Sequence, residues 1–413
     1  MVIAPALYEK HRAQHHEAVL HNALGALAEI FFAMAVRRPP IIAFAASHWA
    51  ERTWMDREYV LSHLAGRAWR AVYTQGALSV WSRRSAAWRD AGWRGRFQLQ
   101  AGVLIHCPGR IWVRWPKVTS WDRLVLQRHV REVLTPVSPE WRKSGIAFFY
   151  HPVFLPYLPY LGARYVVYHA YDAHGSQLAE LEAELVAQAH LVTAASRPIA
   201  DQLPGGGRNR ARILSNGVDL ALMQADADKP CPDDLAPIPR PRIAYIGTIN
   251  QKVDLQLIAQ LAERRPSGHW VLIGHVQSRD LETNDHRACM SYPNVHFLGH
   301  KPRLEVPAYM HHTDVNTMVY RLQGGWWEHG YPLKMHEYLA VGRPIVSTDI
   351  ASVRPFREGI ALARTLDDWE QALEHAIHSG GIGTPETRRA VAEQNTWDKR
   401  VDQLEQWLFE IID

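Results

Sequence analysis

The stretch EHGYPLKMHEYLAVGRPIVSTD, residues 328–349, combines residue types at spacings suited to holding an anion. Pro332 fits the first turn of a helix, where its missing N–H costs nothing, and Gly342 to Pro344 forms a stop. The first amides of such a helix have no partner within it, and with the positive end of the dipole they offer an anion site. Lys334 adds a full positive charge there. Glu337 lies three residues on, on nearly the same face, where its carboxylate can accept hydrogen bonds from a ribose diol. The plainer account of Lys334 and Glu337 is an exposed i, i+3 ion pair worth about 0.2–0.5 kcal/mol. The apolar run Tyr338–Val341 and the strand after it fix this turn at a sheet edge, which favours the binding role.

A second group, His169, Asp172 and His174, follows the buried strand of YVVYHAYDAHG. A carboxylate or imidazole at a strand end can take a proton from an attacking hydroxyl, or shield charge developing on a leaving group. Asp172 and His169 are both candidates for the base, and the residues alone leave the choice open: the ordinary imidazole pKa of about 6.5 suits proton transfer near neutrality, whereas an aspartate needs its pKa raised. His174 ranks third. Asp172 as a helix cap or turn residue is the structural alternative.

Both groups need strands to carry them, and the chain alternates strand-like apolar runs with helical periodicity, the pattern of parallel-sheet α/β units. PIIAFAAS, RAVYTQG, SGIAFFY, ARYVVYH and HLVTAAS read as strands, with helices over 57–67 and around Leu178–Val186. The stretch from Arg83 to Trp121 has no clear assignment. Prolines at 230, 232, 237, 239 and 241 then mark a linker. A second alternation follows: RIAYIGTI, a helix capped by Asp254, HWVLIGH, NVHFLGH, a short helix, DVNTMVY, the helix Leu333–Val341 and PIVSTDI.

The expected fold is α/β, with two Rossmann-like domains facing each other across a cleft at the strands' carboxyl ends. The expected divisions are a helical leader over 1–39, a first domain over 40–225, the linker over 226–241 and a second domain over 242–385. A closing helix over 386–413 is expected to pack back on the first domain.

Three cysteines, Cys107, Cys231 and Cys289, without paired spacing argue against a disulfide scaffold or a zinc site. The best apolar run, Leu24–Val36, is too short to span a bilayer and carries Glu29. Net charge is only +4, yet residues 51–150 hold 17 Lys and Arg against 7 Asp and Glu. Ten of the sixteen tryptophans fall between Trp49 and Trp141, interleaved with arginines. That mixture suits a lipid headgroup surface or a lipid-linked phosphate, the alternative being arginines on a solvated face and tryptophans in the core. No recognised nucleic-acid motif accompanies it. His11 and His15 have the i, i+4 spacing of metal ligands but no partner carboxylate, and Asp226-Ala-Asp228 sits at the start of the linker. No metal or cofactor is expected, and no phosphate-cradling Walker loop is present.

The segment PLKMHEYLAVGRPIVST resembles bacterial glycosyltransferases of the GT-B fold, family 4 and the related exopolysaccharide enzymes. The likeness extends upstream through YIGTINQKVDLQLIAQLAERRP, NVHFLGHKPRLEVPAYM and DVNTMVY, and returns at YVVYHAYDAHGSQLAELEAELVAQAHLVTAAS and ILSNGVD. It implies that Lys334 and the backbone of Leu333 meet a diphosphate and that Glu337 holds the ribose. It further implies that Gly247 lets a turn approach the nucleotide and that Gly299–Lys301, with Lys301, lines the base. The chain departs from many such enzymes at His329, where they carry a second glutamate; Glu328 stands one residue away. The implied activity is transfer of a sugar from a nucleoside-diphosphate sugar, as substrate, to a glycan or lipid-linked acceptor in surface or exopolysaccharide synthesis. A nucleotide-sugar epimerase and a noncatalytic nucleotide-sugar-binding protein are the alternatives. The expected location is the cytoplasm, with peripheral attachment to the inner membrane face as the further reading of the basic patch.

Overall fold

The computed structural model describes residues 38–49, 54–277, 284–322 and 325–413. The leader and its histidines lie outside them, save for residues 38 and 39. Among the described residues the strands form two sheets, of eight and six strands. The chain divides into two compact units, the first made of residues up to 48, 64–148 and 156–166, the second of 49–63, 149–155 and 167–413.

In the first unit, β1 (Ile41–Phe44), β2 (Ala71–Thr74), β3 (Arg96–Gln100), β4 (Val103–Cys107) and β5 (Ile146–Phe149, all but its last residue) run in the order β3-β4-β2-β1-β5. β1, β2 and β5 are buried at every position, as strands covered on both faces must be. β3 pairs antiparallel with β4 and stays largely exposed at the sheet edge. This hairpin fills the stretch that the sequence left unassigned; RFQLQ lacks the apolar content of a core strand and carries little signal. Helix α2 (Thr119–Leu134) lays Val125, Leu126, His129, Val130 and Val133 inward.

The second unit holds β6 (Tyr165–Ala170, from Val167), β7 (Leu191–Ala194) and β8 (Arg212–Ile213) in sequence order, and helix α1 (Asp56–Gly66) begins in it. Its six-stranded sheet runs β11-β10-β9-β12-β13-β14, with β9 (Arg242–Ile246), β10 (His269–Ile273), β11 (Val295–Gly299), β12 (Val315–Met318), β13 (Ile345–Thr348) and β14 (Ala361–Ala363). All the pairings described in it are parallel. The reversal of chain order at β9 and β12 is a topological switch point, where ligands of such sheets bind.

Helix α3 (Ala179–Gln188) joins β6 to β7, and α4 (Leu255–Arg264) joins β9 to β10. Asp254 caps α4, its Oδ1 accepting from the Leu257 amide at 3.0 Å. Helix α5 (Leu333–Val341) ends at Gly342 in the left-handed region, φ 82°. The closing segment forms two helices, α6 (Pro385–Glu393) and α7 (Trp397–Ile412). Thr396 accepts from the Lys399 amide at 3.3 Å and starts the second, so an internal cap breaks the single helix that periodicity suggests. α6 packs on α5, and Trp397 of α7 stacks on Tyr59 at 4.7 Å. Among the described residues no helix is long and apolar enough to cross a membrane.

Candidate functional site

Within the second unit a pocket of about 350 Å³ opens where the carboxyl ends of β6, β7, β9 and β10 meet the start of α5. Its wall contains Asp172, Gly247, Lys301, Leu333, Lys334 and Glu337, six of the residues singled out in the sequence.

The turn leading into α5 is held by its own carbonyl oxygens. Ser196 Oγ donates to His329 O at 2.8 Å, Ser352 Oγ to Gly330 O at 2.7 Å and Asn216 Nδ2 to Tyr331 O at 2.7 Å. Three consecutive peptide units are thereby fixed, and Pro332, Leu333 and Lys334 line the pocket at the helix's amino end. One turn further in, Tyr338 Oη accepts the Ile246 amide at 3.0 Å and ties α5 to the end of β9.

Lys334 Nζ is shielded from water without a hydrogen-bond partner, 3.6 Å from the centre of the Tyr245 ring. Burial and the neighbouring Lys252 charge push its pKa well below the usual lysine range, against the pull of Glu337. Burial raises the Glu337 carboxyl, while Lys334 and Arg303 draw it down. A buried ammonium with no acceptor would be relieved by an anion, and Leu333 and Lys334, at the amino end of α5, line the same pocket.

Gly247 makes this proximity possible. Its φ is 141°, and a Cβ there would stand 2.5 Å from Lys334 Nζ. Gly247→Ala is expected to introduce backbone strain of about 1–3 kcal/mol and to displace the ammonium. Melting temperature and nucleoside diphosphate affinity should fall together, and no change in either would refute the close packing.

Asp172, two residues beyond β6, lines the same pocket. Burial lifts its pKa to about 7, with Asp56 adding to the rise and Lys252 and Arg57 opposing it. It therefore exchanges a proton near neutrality. His169 does not line the pocket. It is buried behind the wall, Nδ1 at 2.8 Å from Thr193 Oγ1 and Nε2 at 3.4 Å from Asp56 Oδ2. Asp56 lines the pocket instead. Burial raises its pKa, but the His169 imidazole beside it and the Arg57 charge outweigh that and hold it below the usual carboxylate range. His174 stands edge-on to His151 at 4.5 Å, and burial drives its pKa down to about 4.

Lys301 pairs with Asp234 at 2.5 Å, and that carboxylate also accepts from Tyr309 Oη at 2.7 Å. His329 contributes its backbone oxygen to the turn and does not line the pocket. Sequence reasoning missed Asp56, Lys252 and Arg303. The Arg303 guanidinium sits 4.7 Å from the Trp54 ring and 4.9 Å from the Tyr59 ring, donates to Tyr59 Oη at 2.7 Å and pairs with Asp219 at 3.2 Å. Its sequence neighbours give no hint of these partners, which come from segments far away in the chain. Among the described residues no group of three His, Cys, Asp or Glu is placed to hold a metal ion.

The family model of glycosyl transferases group 1 matches residues 240–379. A Bacillus subtilis (strain 168) protein named as a teichuronic acid biosynthesis glycosyltransferase, TuaH, is 26% identical over 226 residues, 52% of this chain. The chain spans 56% of that relative's length. Among solved structures, Anabaena Alr3699/HepE in complex with UDP and glucose is similar at a TM-score of 0.68 and 13% identity, over 90% of this chain and 100% of that one. Sucrose-phosphate synthase from Thermosynechococcus elongatus is similar at 0.67 and 12% identity, over 91% and 99%. At such identities the likeness concerns the fold. Residues 240–379 thus match the glycosyl transferases group 1 model, within a chain that has the GT-B fold.

Proposed function

We propose that the chain transfers a sugar from a nucleoside-diphosphate sugar, bound in the pocket of the second unit, to a glycan or lipid-linked acceptor in surface polysaccharide assembly. The observation that carries this reading is the unpartnered Lys334 ammonium beside the amino end of α5, in a pocket large enough for a small ligand. Lys334, the Leu333 amide and Lys252 take the diphosphate, Glu337 takes the ribose diol, and Gly247 permits the approach. The pocket face at His300 and Lys301 receives the base. Asp172 removes the proton from the acceptor hydroxyl, and the neighbouring Asp56 carboxylate, held below the usual range, raises its basicity. Neither metal nor cofactor is needed, because the cations of the wall neutralise the leaving diphosphate.

The relatives support the donor class: one neighbour holds UDP and glucose, and the Bacillus subtilis relative is named for polymer biosynthesis. The basic, tryptophan-rich face of the first unit, with Trp81 66% and Trp115 49% exposed, supports docking at an anionic membrane surface on the cytoplasmic side.

The test is thermal denaturation with UDP, GDP, ADP and dTDP. One of the four is expected to stabilise the protein by about 2.7 kcal/mol at a hundredfold excess over its Kd. Stabilisation by none of them overturns the donor assignment. Cosedimentation with phosphatidylglycerol vesicles at low salt tests the membrane contact, and protein left in the supernatant refutes it.

A further inference from the structure

The first unit carries its own pocket, of about 380 Å³, which shares no residue with the one in the second unit. Its rim is a loop carrying Trp93, Arg94 and Gly95, held against the segment after β4. Arg110 N donates to Gly92 O at 2.9 Å and Ile111 N to Trp93 O at 3.1 Å. The two strands of this crossing touch so closely that a Cβ on Gly109 would stand 2.5 Å from the Gly95 nitrogen. The loop is thus built in place, and it leaves Trp93 75% exposed over the opening.

The walls are Phe97, Ile111 and Trp112, with Trp112 stacked on Trp121 at 5.6 Å. On the floor, Arg128 and Glu132 lie one turn apart on α2 and pair at 3.2 Å. Glu132 Oε2 also stands 3.5 Å from Nε2 of His106, a residue only 1% exposed whose Nε2 has no hydrogen bond.

We propose that this pocket binds a pyranose unit of a saccharide, stacked on Trp93 and Trp112, its hydroxyls bonded to Arg128, Glu132 and His106. Flat aromatic walls match the apolar C–H faces of a sugar ring, and a guanidinium beside a carboxylate offers donors and acceptors together to adjacent hydroxyls. A phosphate or lipid headgroup fits worse, because Glu132 on the floor repels it. That carboxylate stays ionised: burial raises its pKa, but His106 and Arg128 together bring it below the ordinary value.

The probes are maltotetraose, diacetylchitobiose and cellotetraose at up to tens of millimolar, with 5-fluorotryptophan-labelled protein read by fluorine NMR. The Trp93 signal is identified by its loss in Trp93→Phe. One of the three is expected to shift that signal saturably. Trp93→Ala should weaken binding about tenfold or more, and Glu132→Gln by about tenfold. No shift at Trp93 with any of the three overturns the proposal, as does affinity unchanged in Trp93→Ala. A shift produced by inorganic phosphate or phosphatidylglycerol vesicles in place of saccharide also overturns it. Stabilisation by the nucleoside diphosphate, measured on the same variants, should be untouched. Failure of that stabilisation in every form would count against the donor pocket alone.

Discussion

Replacing Lys334 by methionine is expected to weaken nucleoside diphosphate binding by about 10- to 150-fold and, in the same protein, to raise the melting temperature of the empty form. The first effect follows from losing a charged hydrogen bond to a phosphate oxygen, about 1.5–3 kcal/mol. The second follows from what the empty pocket does to the ammonium. Nζ rests against the Tyr245 ring with no acceptor, and its pKa is depressed by burial. An unpartnered buried charge lowers stability, and a thioether of similar length removes that penalty while keeping the packing on Tyr245. Isothermal titration and thermal melts on one preparation read both effects. Unchanged affinity would remove Lys334 from the site, and a lower melting temperature would show that the ammonium stabilises the empty protein after all.

Asp172→Asn is expected to cost about 10²–10⁴ in kcat while leaving nucleoside diphosphate affinity within a few fold, the signature of a lost base in place of a lost binding contact. The wild-type rate should rise with pH through about 7, where the Asp172 carboxyl releases its proton, and the variant should lack that limb. Stability carries a matching sign. A carboxyl whose pKa is about 7 in the fold and 3.8 in the open chain holds its proton longer when folded, so its contribution is most favourable below pH 4 and is lost as pH rises to 7. The asparagine variant should therefore show a flatter melting profile over that interval. A rate limb that survives in Asp172→Asn would pass the role of base to the Asp56 and His169 pair.

Much of this architecture is written locally. Pro332 and Gly342 bracket α5 because one residue tolerates a missing donor and the other a positive φ, and the helix spans Leu333–Val341 between them. The buried strands β1, β2, β5, β6, β7 and β9 announce themselves because strands covered on both faces must be continuously apolar. What was not legible has one of two causes. Strand β3 is a sheet edge whose exposed residues carry no core pattern, and the break between α6 and α7 rests on a cap without glycine or proline. The pocket residues Asp56, Lys252, Arg303 and Asn216 acquire their partners over long separations, as Arg303 does with Tyr59. Lys334 could be placed at the mouth of a helix from sequence, but its lack of any acceptor is a property of packing.

The turn before α5 is fastened through main-chain oxygens at 329, 330 and 331 by side chains of Ser196, Ser352 and Asn216. Tolerance to mutation is therefore distributed unevenly here: the fastened residues are free to change identity, since a carbonyl is common to all twenty, whereas the three fastening side chains are not. His329 can take its place in the turn without moving the amides downstream, because only its carbonyl oxygen is used. Substitutions at 329, 330 or 331 are therefore expected to leave the Leu333 and Lys334 amides in place, whereas loss of Ser196, Ser352 or Asn216 releases them.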